Sequence, residues 1–171
     1  MHASENFLNV KQSIYKYFKD TLAPAGEIEI DVFNPDFDPT TLSHWIRIFF
    51  LSNRQDASTT QVAAGDKKAR RMRLLVQISL FARRDDDGDP YRAAFDTWIG
   101  KIESALTLPR GINFYNFYPG GVFNAASTTA AWSECPFISL VGAPVSEYAG
   151  EKDQVYHQAF SVEMEYYCRE E

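Results

Sequence analysis

Cysteine is scarce in this chain, with two residues, Cys135 and Cys168, in 171. They lack any zinc-ligand spacing, and in a chain read as made and used in a reducing cytoplasm they are expected to be free thiols. Basic charge is also in deficit. Lys and Arg total 17 against 23 Asp and Glu, a formal net charge of −6, which argues against a general nucleic-acid binder because such a footprint is basic. No apolar run reaches the roughly 18 residues of a membrane span. The opening MHASENFLNVKQ has no basic-then-apolar leader pattern. G-x-S-x-G, H-E-x-x-H and glycine-rich phosphate loops are missing too, so the hydrolase, metalloprotease and nucleotide-binding signatures are not met.

Core material is plentiful. With 45% hydrophobic and 15% aromatic residues, the chain is expected to form one domain over residues 1–171. Its clearest unit is residues 72–106. Met72, Leu74, Val76, Ile78 and Leu80 recur at period two, which predicts a strand over 72–83. Asp85-Asp86-Asp87-Gly88 breaks it, and Asp89-Pro90 has the form of a helix cap with proline at the first helical position. Phe95, Trp98, Ile99, Ile102 and Leu106 then share one helical stripe, which Leu108-Pro109-Arg110-Gly111 ends.

An amino-terminal helix is predicted from Phe7, Val10, Ile14, Phe18 and Leu22 on one face, stopped by Ala23-Pro24-Ala25-Gly26. In 27–33, Ile28, Ile30 and Val32 alternate with Glu27, Glu29 and Asp31, a half-exposed strand whose acids are expected in water. A proline-rich loop over 34–41 leads to a largely apolar strand over 44–51. Residues 53–71 hold almost nothing that packs, and 54–71 are expected to form an extended arm. The arm ends in the one concentration of positive charge, Lys67, Lys68, Arg70, Arg71 and Arg73. Residues 112–118 read as a strand or an aromatic loop, 132–141 as a strand interrupted by Pro136, and 142–153 as a polar loop. A last strand over 155–168 sets Phe160, Val162, Met164 and Tyr166 against Ser161, Glu163, Glu165 and Tyr167. The order α-β-β-β-α-β-β-β predicts an α+β fold, a single mainly antiparallel sheet with two helices packed on one face and a long β-hairpin arm.

Candidate chemistry is thin. The run Asp85 to Asp89 suggests a calcium loop, but Pro90 stands where an EF-type loop needs glycine and Asp96 where it needs a bidentate Glu, so a turn and helix cap is expected. Cys135 beside Glu134, with His44 and His157 distant in sequence, does not resemble a nucleophile turn. Phe114, Tyr115, Phe117 and Tyr118 could stack bases, but core or subunit packing is the stronger reading. The basic end of the arm could meet phosphate or an acidic protein surface, and a partner that orders it on assembly is favoured. No catalytic, cofactor-binding or metal-binding residue is expected.

One resemblance adds to this. An amino-terminal helix, a short strand, Asn34-Pro35-Asp36-Phe37, Trp45-Ile46-Arg47-Ile48, a long polar insertion, Leu75-Val76-Gln77-Ile78 running into a polar turn and helix, and a carboxy-terminal strand resemble the tail terminator (tail completion) proteins of long-tailed bacteriophages. The resemblance implies a non-enzymatic virion protein of the tail neck, assembled in the host cytoplasm. Its subunits would form a homohexameric ring on the tail tube protein, stop tube polymerisation and offer the surface that a head-completion or connector protein meets. DNA would only pass through the channel, and no membrane or cofactor is implied. Within that picture Lys67, Lys68, Arg70, Arg71 and Arg73 become an interface arm, and Glu27, Glu29, Asp31, Glu163 and Glu165 become candidates for the channel lining. Two alternatives stay open: another neck or connector component, and a small ligand-binding or enzymatic α+β domain, which converging titratable groups in a concave pocket would favour.

Overall fold

The apolar stripe at the amino terminus builds a helix, α1 (Ala3–Leu22), in the computed structural model of the chain. The residues described are 3–32, 34, 36–55, 62–64, 67–84, 90–107, 111–152 and 154–169. Val10, Ile14 and Phe18 are fully buried and Leu22 nearly so. Pro24, which cannot continue a helix, lies two residues beyond its end.

The short strand β1 (Glu29–Asp31) pairs in parallel with β2 (His44–Gln55), Ile30 facing Ile46. The connection is a chain of side-chain-to-backbone turns: Asp31 Oδ1 accepts from Asn34 N–H, Asn34 Oδ1 from Asp36 N–H, and Asp38 Oδ1 from Thr40 N–H, each at 3.0 Å. β2 pairs antiparallel with β4 (Lys67–Arg83), and β4 pairs along its other side with β7 (Val155–Arg169). β3 (Val62–Ala64) pairs with the first residues of β4, Ala64 facing Lys67, and so continues the side of β4 that β2 occupies further on. β6 (Phe137–Lys152) forms a hairpin with β7, closed between Lys152 and Val155, and β5 (Ile112–Asn113) pairs with the start of β6. The strand order is β1-β2-β4-β7-β6-β5, with β3 on β4. The fold is α+β and mainly sheet.

One expectation about loops is corrected. Of residues 142–153, expected as a polar loop, 142–152 belong to β6 and Asp153 lies outside the described residues. Much of the strand is solvent-exposed, so its pairing with β7 is carried by backbone and leaves no hydrophobic alternation to read. Its register shifts at 142–144, where Gly142 has φ +81° and Pro144 sits outside the regular ladder, and again at Ala149. Of the expected arm, 54–55, 62–64 and 67–71 are strand, with β2 and β4 paired through Arg54↔Arg73 and Gln55↔Met72, and 56–61 and 65–66 lie outside the described residues.

α2 (Pro90–Ala105) begins at the expected proline. Phe95, Trp98, Ile102 and Leu106 are buried and Ile99 partly so. The acidic run 85–89 and residues 108–110 lie outside the described residues. The buried residues of both helices fall in one hydrophobic cluster with Ile46, Ile48, Leu74, Val76, Ile78, Leu80, Phe160, Val162 and Met164. These strand residues belong to one face of the sheet by register.

Residues 114–131 are neither strand nor free loop. Asn9 and Ser13, both buried on α1, accept from the backbone N–H groups of Phe117 (2.7 Å) and Tyr115 (2.9 Å). The match is geometric: four residues of helix rise about 6 Å, and two residues of extended chain advance about 6.6 Å. Phe114 N–H donates to Pro136 O, Ala131 N–H to Phe114 O and Asn116 N–H to Thr129 O, which closes the segment on itself.

Candidate functional site

The sheet's second face, the one opposite the hydrophobic cluster, has two chemically distinct ends. At one end Trp45, Phe81 and His157 stand in a single row across β2, β4 and β7. Their rings stack, Trp45 on Phe81 at 5.3 Å and 12°, Phe81 on His157 at 4.4 Å and 14°. Burial pushes the His157 imidazole pKa below its ordinary value, and its buried Nε2 has no hydrogen-bond partner among the described residues. The row continues to Gly150, where no side chain stands, and a depression of about 390 Å³ lies there beside Lys152 and Val155. The 36–43 loop caps this end. Arg83 donates to the carbonyls of Pro39 (3.2 Å) and Leu42 (3.5 Å), and the Arg47 guanidinium lies over the Phe37 and Phe49 rings.

At the other end, where β4 runs toward β3, the face is charged. Arg73 meets Glu163 at 3.4 Å, Arg54 meets the same carboxylate at 3.9 Å and Arg71 meets Glu165 at 3.8 Å. The register explains the pairing. Arg73 stands directly opposite Glu165 and Leu75 opposite Glu163, so each arginine reaches its acid diagonally. The ladder thus joins two residue sets that the sequence left apart, the base of the basic arm and the acids of the last strand. Each pair is worth roughly 0–1 kcal/mol at this exposure.

The remaining expected site residues are dispersed. Arg70 is exposed and stands opposite Cys168 by register. Lys67 and Lys68 pair through backbone with Ala64 and Ala63, and their side chains lie outside the described residues. Glu27 and Glu29 are exposed. Asp31 departs from the expected wet acid face. It is 5% exposed, with Arg47 Nε 3.0 Å from its Oδ2, because the parallel register sets Asp31 opposite Arg47.

The other candidates show no converging chemistry. The Cys135 thiol pKa is raised by burial and then by the Glu134 charge, the reverse of an activated nucleophile. His44 is bonded to Ser43 and packed near Trp98, and His157 is in the aromatic row. Phe114 and Phe117 are buried, which makes them packing residues. Among the described residues no group of three or more His, Cys, Asp or Glu is placed to hold a metal ion, and no helix is long and apolar enough to cross a membrane. A groove of about 730 Å³ between the helices is lined by Tyr17, Thr21, Glu27, Lys101 and Ser104. A second, of about 560 Å³, contains Arg84 already paired with Glu151 at 3.5 Å.

Sequence reasoning missed Arg54, the Asp31–Arg47 pair and the aromatic row. Each depends on register between strands, for which a single sequence gives no signal beyond the period-two placement of odd-numbered residues on one face.

No family model matches the chain, and no curated protein does. Among solved structures, one chain aligns over 100% of this chain and 99% of its own length, with a TM-score of 0.50 and 12% identity. Its name states no activity or partner, and at that identity the similarity is one of fold alone.

Proposed function

We propose that the chain is a structural, ring-forming subunit of the tail-terminator kind, capping a phage tail tube, stopping its growth and presenting the surface to which the head attaches. The observation that supports this most directly is the continuity of β4. One strand runs from the middle of the sheet into the basic arm, and Arg71 and Arg73 at the arm's base are braced by Glu165 and Glu163. An arm held this way transmits a partner's contact into the central strand pairing. In this reading both helices back one face of the sheet, and the arm over 54–71 orders against a neighbouring subunit or the tube. The exposed Glu27 and Glu29 are the acids assigned to the channel lining, where like charge keeps passing DNA from adhering.

The direct test is mass measurement of the purified protein, alone and with its tail tube partner. A hexamer in either setting is the expected result, and a strict monomer in both refutes the reading. Electron microscopy of particles made without the protein separates a terminator from another neck component. Loss of a terminator leaves abnormally long tubes, whereas loss of a head-side connector leaves normal free tails.

A further inference from the structure

β1 and β5 are the end strands of the sheet, yet each is too short to cover its neighbour. β1 pairs only with Trp45, Ile46 and Arg47, so the outer side of β2 from 48 to 55 has no strand partner among the described residues. β5 pairs only with Phe137 and Ile138, so the outer side of β6 from 139 to 152 has none either. Each bare edge carries a row of backbone donors and acceptors able to template another strand.

The two edges differ in direction and in charge. β2 runs opposite to β4, β4 opposite to β7 and β7 opposite to β6, so β6 points against β2. Copies arranged around an axis along the strands therefore present β6 of one antiparallel to β2 of the next. Bulges interrupt both edges, at Leu51 in β2 and at 142–144 and Ala149 in β6. Beyond Leu51 in β2 and between the two bulges of β6 lie regular stretches, 52–55 and 145–148. The first carries Arg54, whose side chain is 72% exposed, and the second carries exposed Glu147. Register places both on the charged face of the sheet, Arg54 level with Arg73 and Glu147 level with Ala159. Val145 and Tyr148 are exposed on the β6 edge, and Leu51 on the β2 edge.

We infer that a second copy of this chain occupies these edges. The 146–148 stretch of one subunit adds to the 53–55 stretch of the next, with Glu147 facing Arg54, and the sheet is continued head to tail. Charge sets the choice of partner, since β6 against β6 would oppose two glutamates and β2 against β2 two arginines, and like charges across a ladder are destabilising. A contact between two different surfaces propagates and closes into a ring when the rotation allows. This rests on the ring reading above and specifies its interface.

The test uses the full chain with Arg54→Glu and Glu147→Arg, two exposed positions, and circular dichroism to verify that both variants remain folded. Assembly is followed by mass photometry and light scattering over a concentration series, with the tube partner added in a parallel series. Each single variant is expected to raise the concentration for half-assembly by about tenfold or more, because the repulsion recurs at every interface. An equimolar mixture of the two variants is expected to recover assembly, each reversed edge meeting its complement. Wild-type rings with single variants that assemble unchanged would overturn the edge pairing and leave the ring reading standing. Weakened single variants whose mixture does not recover would overturn the head-to-tail pairing. A wild-type chain that is monomeric in both series would overturn the ring and the interface together.

Discussion

Replacing Asn9 by alanine removes the principal anchor of the 114–131 segment. Asn9 is fully buried, its Oδ1 accepts from Phe117 N–H at 2.7 Å and its Nδ2 donates to Asn116 Oδ1 at 3.3 Å. Phe117 is itself 2% exposed, so its N–H has no access to water once the acceptor is gone. An unsatisfied buried amide costs about 1–3 kcal/mol and the second bond contributes about 1 kcal/mol, giving a loss of roughly 2–4 kcal/mol. Against a typical total stability of about 5–15 kcal/mol, that shift is readily seen in urea denaturation followed by tryptophan fluorescence. Ser13→Ala removes only the bond to the half-buried Tyr115 N–H, and about 1 kcal/mol is expected. Amide exchange should accelerate at Phe117 in the first variant and at Tyr115 in the second. A loss below about 0.5 kcal/mol for Asn9→Ala, within the range of an ordinary surface change, would refute the anchoring argument.

Three further outcomes follow from single sites. Burial lowers the His157 pKa below the ordinary 6.5. The unfolded chain therefore takes up this proton first as the solution is acidified. The contribution is fully present above the unfolded value and is lost as pH falls from there toward the folded one. His157→Phe, which keeps the stacked ring, should flatten that part of the stability profile, and an unchanged slope would contradict the assignment. Gly111 has φ +80° and an added Cβ would sit 2.5 Å from the Ile138 carbonyl oxygen. Gly111→Ala should thus destabilise by about 3 kcal/mol in thermal or urea unfolding. The Cys168 thiol is pushed up to about 11, chiefly by burial, so three pH units lower only about one in a thousand is ionised. A thiol reagent such as dithionitrobenzoate should label Cys135 before Cys168.

How much of this was legible follows a physical division. Where one face is buried and the other wet, the pattern is in the residues: Val10, Ile14 and Phe18 on α1, Phe95, Trp98 and Ile102 on α2, and the alternation of Phe160, Val162, Met164 and Tyr166 on β7. Where a strand is exposed along much of its length, its pairing is a backbone property, and 145–152 of β6 and 53–55 of β2 looked like loop. The acid at Asp31 fitted a period-two pattern that predicted water, and Arg47 opposite it reversed the outcome. Asn9 and Ser13, polar residues beside an apolar stripe, were a legible clue that the amino-terminal helix must satisfy something other than itself.

The charged ladder bears on where a partner can be seated. The mixed face of β4 carries Leu75 and Phe81 as well as Arg73 and Gln77. Phe81 is already sandwiched between Trp45 and His157, and the 36–43 loop closes that end. Leu75, 36% exposed, remains available, and it stands opposite Glu163 in the paired region. Covering a lone charge is expensive because its hydration is lost without return, whereas a charge already balanced by a neighbour loses less on desolvation. Arg71, Arg73, Glu163 and Glu165 form such a set before any partner arrives. The same arithmetic makes the ladder sensitive to half-removal, since Arg73→Ala would leave Glu163, among the described residues, with the longer Arg54 contact at 3.9 Å. A surface tolerant of being covered when intact and intolerant when one member is lost is suited to an interface that forms once and stays formed.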